Sequence, residues 1–299
     1  MKIYTPNYYK KFRCIAGECK HSCCIGWEID IDEETLEFYE AMEGKEGKAL
    51  RASICYEQTP HFKLNDGARC YNLREDGLCE IICQHGESAL CDICADHPRF
   101  RNFFQNFTEE GLGLCCEEVA RIIINEQEPF SISTDAKKAD EEERFCLKLR
   151  AKAFGILQNR EKTIKERFSE LAKEFGFSFD FKLSEIVSLY LSLERLDETW
   201  TEYLEELKDF DEKIFQDEAY SIKLENLACY FVFRHFSDGI YDGDYNERIR
   251  FCLASCYLIG AQVESGKDIE EVARMYSSEV EYSEENMEKI IKIKGKYYG

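Results

Sequence analysis

The chain has 299 residues, is 44% hydrophobic and carries a formal net charge of −21. That length can bury a core without covalent staples, so its sixteen cysteines are not required simply to hold a small fold together. The acid is spread over both halves of the chain, which argues against a general nucleic-acid backbone binder, since that would need a basic footprint.

The first residues, M-K-I-Y-T-P-N-Y-Y-K-K, lack the apolar region of a secretory signal. No run approaches the roughly eighteen apolar residues of a membrane span. The expectation is a cytoplasmic protein in a reducing compartment, where clustered cysteines mean metal or catalysis more often than disulfides.

Taken in order, Cys14, Cys19, Cys23 and Cys24 fall within one short, turn-rich stretch. Trp27–Ile31 alternates apolar and polar residues, the pattern of a short strand. Asp32 is placed to cap a helix on its C-terminal side, with Glu33 and Glu34 at the favourable end of its dipole. Leu36, Tyr39 and Leu50 supply apolar faces, and His61–Leu64 reads as a strand before an Asn65-Asp66-Gly67 turn. The segments around Cys70 and Cys79 flank Arg74–Gly77 as a hairpin would, bringing the two sulfurs to adjacent positions. Residues 87–96 have helical character that Pro98 interrupts. Residues 103–114 read as partly extended, and 117–125 as a helix.

Residues 126–140 break the preceding pattern, and Asp140 is placed to cap the next helix. Helices are expected at about 141–156, 158–175, 182–194, 198–210, 221–237, 244–262, 268–279 and 284–293. Cys146, Cys229, Cys252 and Cys256 read as small core residues of those helices. The fold class is therefore α+β. A compact cysteine-rich N-terminal metal module with short strands, residues 1–128, precedes a mainly α-helical domain, residues 129–299, to which a substrate-binding role is assigned.

The soft-donor sets are Cys14-x4-Cys19-x3-Cys23-Cys24, Cys70-x8-Cys79-x3-Cys83, Cys91-x2-Cys94 and Cys115-Cys116. Thiolates suit both zinc and iron–sulfur clusters, and spacing alone does not separate the two or give the number of centres. His21 and His97 could be ligands or bases, and Glu28 and Asp30 could be bases. For each of the four, ordinary polar packing or solvent exposure is the simpler reading.

Beyond these sets, Phe12, Cys14, Cys19, Cys23, Cys24, Gly26 and Trp27 begin an ordered pattern. It continues through Cys70-Tyr71-Asn72-Leu73, Asp76-Gly77-Leu78-Cys79, Gly86, Leu90, Cys94 and Pro98-Arg99. It ends in Leu114, Cys116 and Glu118-Val119-Ala120-Arg121. In this pattern the chain resembles the flagellin lysine-N-methylase family and its broader relatives with an iron- or zinc-chelating cysteine-rich domain. The likeness spans roughly residues 10–125, and the helical remainder matches more loosely.

The resemblance implies methyl transfer from S-adenosylmethionine to a lysine ε-amine of flagellin or another lysine-bearing protein. It also implies a [4Fe–4S] cluster, with zinc as the alternative metal. The ligand candidates it carries over are Cys14, Cys19, Cys23, Cys24, Cys70, Cys79, Cys94 and Cys116; one tetranuclear cluster needs only four. Cys55, Cys83, Cys91 and Cys115 lie outside the common pattern. Glu117 stands where the family often has proline, and His97 where an aromatic residue is more usual. Two other functions are compatible with the cysteines: a noncatalytic zinc- or iron-binding interaction module, and an iron–sulfur oxidoreductase or electron carrier. No glycine pattern of a Rossmann-type donor site is present, and Gly26 breaks the CxxxCxxC spacing of radical enzymes. The catalytic base, the donor site and the choice between polar and radical transfer stay open in the sequence.

Overall fold

The computed structural model describes residues 2–292. It confirms a mixed α+β N-terminal region with short strands before a mainly helical C-terminal region. The described chain separates into two compact units, residues 13–99 and residues 2–12 with 100–292. This division does not fall at 128/129. The strand Phe107–Leu112 and the helix Glu117–Ile124 join the helical unit, because their apolar side chains and Leu114 between them belong to its core.

Unit 13–99 is built from short elements, the longest being two nine-residue helices, Glu33–Ala41 and Gly44–Ala52. Its strands are two-residue pairs: Ile54–Cys55 with His61–Phe62, and Leu64–Asn65 with Arg69–Cys70. Trp27–Ile31 forms no strand. Ile29 and Ile31 are buried as their alternation requires, but the segment pairs only through a single antiparallel bridge of Asp30 with His61, held by Phe62 N–H to Ile29 O (3.0 Å) and Ile31 N–H to Pro60 O (2.8 Å). The helix Glu33–Ala41 starts at Asp32, whose Oδ1 accepts from Thr35 N–H (2.9 Å). The other oxygen accepts from Asp92 N–H (2.9 Å), at the first residue of the helix Asp92–Asp96. One carboxylate thus serves two helix starts, each with unpaired N–H groups to satisfy. The expected helix over 87–96 is broken at Leu90 and Cys91 into a short 3-10 turn and this five-residue helix.

In the other unit, a three-stranded sheet runs in the order Lys2–Tyr4, Phe107–Leu112, Arg99–Phe103. Lys2, Ile3 and Tyr4 pair in parallel with Phe107, Thr108 and Glu109. Gly111 is needed here, since a Cβ would stand 2.3 Å from the Phe100 ring and 2.7 Å from Phe233. The helices lie close to their expected places. Glu141–Leu157 begins in a full capping box between Asp140 and Glu143. Ile164–Glu174 starts later than its apolar pattern, because Thr163 and Glu166 form a second capping box. Glu218–His235 and Tyr245–Glu264 are the central pair, buried over most of their length. Ile269–Tyr276 runs into a π-helical turn, Ser277–Glu281. The last helix is Glu284–Lys292, and the final position of the expected 284–293 segment lies outside the described residues.

Cys146, Cys229, Cys252 and Cys256 are fully buried in the apolar core, as their helical positions predict. The most deeply buried acids are paired with arginines. Glu109 takes two hydrogen bonds of 2.7 Å from Arg150, and Glu225 is held by Arg160 and Arg167. Among the described residues no helix is long and apolar enough to cross a membrane.

Candidate functional site

Each unit carries one candidate site. In unit 13–99 a small core of Ile29, Ile31, Tyr39, Leu50, Ile54, Phe62 and Ile81 surrounds a set of thiols. Cys70 and Cys91 are buried in it, and Cys24, Cys79 and Cys94 pack against it. The hairpin read around Arg74–Gly77 is a tight turn closed by Arg74 N–H to Leu78 O (2.9 Å) and a single bridge between Leu73 and Cys79. The chain then enters the helix Glu80–His85 instead of a second strand. The turn does bring Cys70 and Cys79 together, and Cys70 N–H donates to Cys24 O (2.8 Å).

The electrostatics are those of thiols that influence one another. Burial pushes the Cys70 thiol up to about 11, with Cys24 and Cys79 adding to the effect. Burial likewise raises Cys79, and Cys24 contributes. Cys91 and Cys94 share a hydrogen bond that lowers Cys91 and raises Cys94, so Cys94 keeps the proton and Cys91 is the readier thiolate. Cys24 is held down to about 7, first by a hydrogen bond from Cys23, against the cost of its burial. Such shifts are what interacting thiols produce in a partly dry site.

Of the eight candidate ligands, Cys24, Cys70, Cys79 and Cys94 therefore share one neighbourhood, with Cys23 bonded to Cys24 at its edge. Cys91, outside the family-like pattern, belongs there as well. Cys14 is exposed, its sulfur accepting from Ala16 N–H (3.4 Å), and Cys19 is half-buried. Cys116 lies in the other unit, at the start of the helix Glu117–Ile124. The thiols are chemically suited to zinc or iron, but among the described residues no three His, Cys, Asp or Glu side chains are arranged to hold a metal ion.

The base candidates fare differently. His21 is exposed. Glu28 and Asp30 are exposed on the unburied side of the Ile29–Ile31 segment, Glu28 being 3.9 Å from His61. His97 is half-buried, and desolvation lowers it to about 4, with Arg99 adding to the effect.

The second site was not read from the sequence. In the helical unit His235, the last residue of the helix Glu218–His235, places Nε2 2.5 Å from Glu281 Oε1. The other carboxylate oxygen accepts from Tyr230 Oη–H (2.9 Å), and Arg234 Nε lies 3.4 Å from Oε1. Tyr230 Oη in turn accepts from Arg234 (2.8 Å) and from Leu114 N–H (3.2 Å). Tyr230, His235 and Glu281 are buried, and Arg234 is nearly so. Burial alone would raise Glu281, but Arg234 and His235 hold it down to about 2, so it is an anion. Desolvation lowers His235 against the opposing pull of Glu281, so the ring is neutral at neutral pH. Since Glu281 can only accept, the proton of neutral His235 sits on Nε2 and leaves Nδ1 as the acceptor nitrogen. Glu281 ends a π-helical turn, an irregularity often found at functional sites.

The unit is thus a mainly helical domain that encloses an acid–base pair. The chain belongs to the FliB lysine N-methylase C-terminal domain family, whose model matches residues 100–297. The match falls on the helical part, whereas the resemblance in the sequence was strongest over the cysteines. The chain is also similar to a lysine-N-methylase of Salmonella typhimurium, at 27% identity over 138 residues, and to one of Salmonella choleraesuis, at 28% over 142. Each match covers 44% of this chain and 34% of the relative, so the chain spans about a third of the length of these relatives. A flagellar biosynthetic protein FliU of Salmonella muenchen is 27% identical over 141 residues, covering 44% of this chain and 81% of that protein. No solved structure matches.

Proposed function

We propose that the protein transfers a methyl group from S-adenosylmethionine to the ε-amine of a lysine on a protein substrate, flagellin being the first candidate. The observation that carries this reading is the family match over residues 100–297, supported by the relatives described as lysine-N-methylases and by the flagellar description of a third. The net charge of −21 favours encounter with a lysine-bearing, basic surface. A cytoplasmic location, where flagellin subunits are made, is part of the proposal.

The thiols of unit 13–99 are proposed as the site of a [4Fe–4S] cluster, or of zinc. Cys24, Cys70, Cys79 and Cys94 are the favoured ligands, because these four of the eight candidates share one partly buried neighbourhood. Cys14, Cys19 and Cys23, in the same unit, remain in the proposed set as second choices, and Cys116, in the other unit, is not part of it. A bound cluster would supply redox chemistry or tie together the short elements of this unit. Either role leaves the transfer itself to the groups that bind and deprotonate lysine.

The test is incubation of anaerobically purified protein with S-adenosylmethionine and flagellin, with and without reductant, and analysis by mass spectrometry. Methylated lysine is the expected result. An intact protein that methylates no lysine in either redox state overturns the reading.

A further inference from the structure

The helical unit contains a cleft of about 580 Å³ that the cysteine chemistry does not touch. His235 and Glu281 line its buried end, and Asp238, Asp242, Asp244, Glu284 and Glu288 line the rest together with Arg248, Met287 and Ile291. Arg248 is shared, reaching Asp242 at 2.6 Å and Asp238 at 3.3 Å, so one guanidinium serves two of these carboxylates. A ligand that fits this lining has a positive head and an apolar stem. Lysine has both: four methylenes to lie along Met287 and Ile291, and an ammonium to meet the acids.

An acidic wall alone would be only a solvated surface. What distinguishes this one is the neutral imidazole at its closed end, whose Nε2–H is committed to an anion that Tyr230, Arg234 and the protein interior hold fixed. We propose that this cleft receives the lysine side chain of the protein substrate and that His235, oriented by Glu281, accepts the ammonium proton; the assignment rests on the lysine N-methylase reading.

A lysine ammonium has no lone pair and cannot attack a methyl group. Transfer of one proton to His235 Nδ1 gives the neutral amine and an imidazolium, which the Glu281 carboxylate stabilises. The amine nitrogen then attacks the methyl carbon of the sulfonium donor. A nitrogen–carbon bond forms, the carbon–sulfur pair returns to sulfur as a thioether, and the product is an N-methylammonium. The proton on His235 leaves to water through the open side of the cleft.

The experiment uses the full chain, labelled with ¹⁵N in histidine, and Nα-acetyl-lysine methylamide as probe, with the norleucine analogue as the uncharged control. The lysine probe should shift the His235 ring signals saturably and the control should not. The double variant Glu284→Gln/Glu288→Gln should weaken probe binding and raise KM for a lysine peptide, by about two- to fivefold per charge, with kcat unchanged. His235→Gln should lower kcat on the order of 10²-fold and remove the inflection in the pH–rate profile. If His235→Gln does not fold, the probe shifts and the wall variant decide the matter. Methylation by the wild type with unmoved His235 signals, or with an unaltered KM in the wall variant, overturns the cleft assignment and leaves the methylase reading standing. A wild type that methylates no lysine overturns both.

Discussion

Gly77 stands against Gly17: a Cβ on Gly77 would lie 3.0 Å from the Gly17 Cα, and one on Gly17 would lie 2.6 Å from the Asp76 carbonyl oxygen. The loop that carries Cys14 and Cys19 therefore packs backbone to backbone on the turn that joins Cys70 to Cys79. Gly77 also has a φ of +79°, which glycine alone adopts freely.

Gly17→Ala should push these two loops apart. Because the obstacle is backbone and not a flexible side chain, a cost of about 1–3 kcal/mol is expected, confined to unit 13–99. Limited proteolysis and hydrogen exchange should show faster opening around 14–19 and 70–79. Unchanged protection there would mean the loops are not packed as described.

Replacing Cys94 by Ser should reduce iron and acid-labile sulfide in the anaerobic protein, and so should Cys79→Ser. Cys55→Ser is the control, since Cys55 lies outside the family-like pattern and outside the core that gathers the other thiols. Metal and sulfide analysis of the three variants decides: equal content in all three would remove Cys79 and Cys94 from the ligand set.

Glu225 is completely buried and neutralised by Arg160 and Arg167. Glu225→Ala leaves Arg167, itself buried, without its counter-charge, and should cost about 3–5 kcal/mol in denaturant unfolding. Glu118→Ala removes a partner from the mostly exposed Arg121, and should cost less than about 1 kcal/mol. Similar costs for the two would contradict the burial contrast.

Acid should unfold the helical unit in two stages. His235 is lowered in the folded state, so the unfolded chain binds its proton first, and stability begins to fall as pH drops below about 6.5. Glu281 is depressed from 4.5 to about 2. Its contribution is fully present above 4.5 and is lost as pH falls toward 2. Thermal unfolding against pH should show both losses; in Glu281→Gln the lower one should shrink, the remainder coming from other depressed carboxylates such as Glu126 and Asp242.

Much of the fold was legible because the signals were local. Asp32, Asp140 and the apolar spacing of the long helices act within a few residues, and the structure has the caps and helices there. The four late cysteines were readable as core for the same reason. Strand pairing in unit 13–99 was not, because two-residue strands leave almost no periodicity. Phe107–Leu112 is buried throughout despite Glu109 and Glu110, and the partners that offset the cost for Glu109, Thr134 and Arg150, lie well along the chain. The His235–Glu281 pair joins positions 46 apart. The one signal that could have raised it was a histidine at the end of a long, largely apolar helix, with an acid far downstream in the Glu-rich segment 279–285.

Asp32 divides its two oxygens between Thr35 and Asp92, sixty residues further along the chain. A fragment that begins after Asp32 would leave the first turns of both helices bare, including the one that carries Cys94. A fragment that stops before Asp92 would keep the first cap but forfeit the tie between the distant ends. The sulfur-rich region is consequently expected to be acquired or lost as a whole, and Asp32→Ala should loosen both ends of it at once.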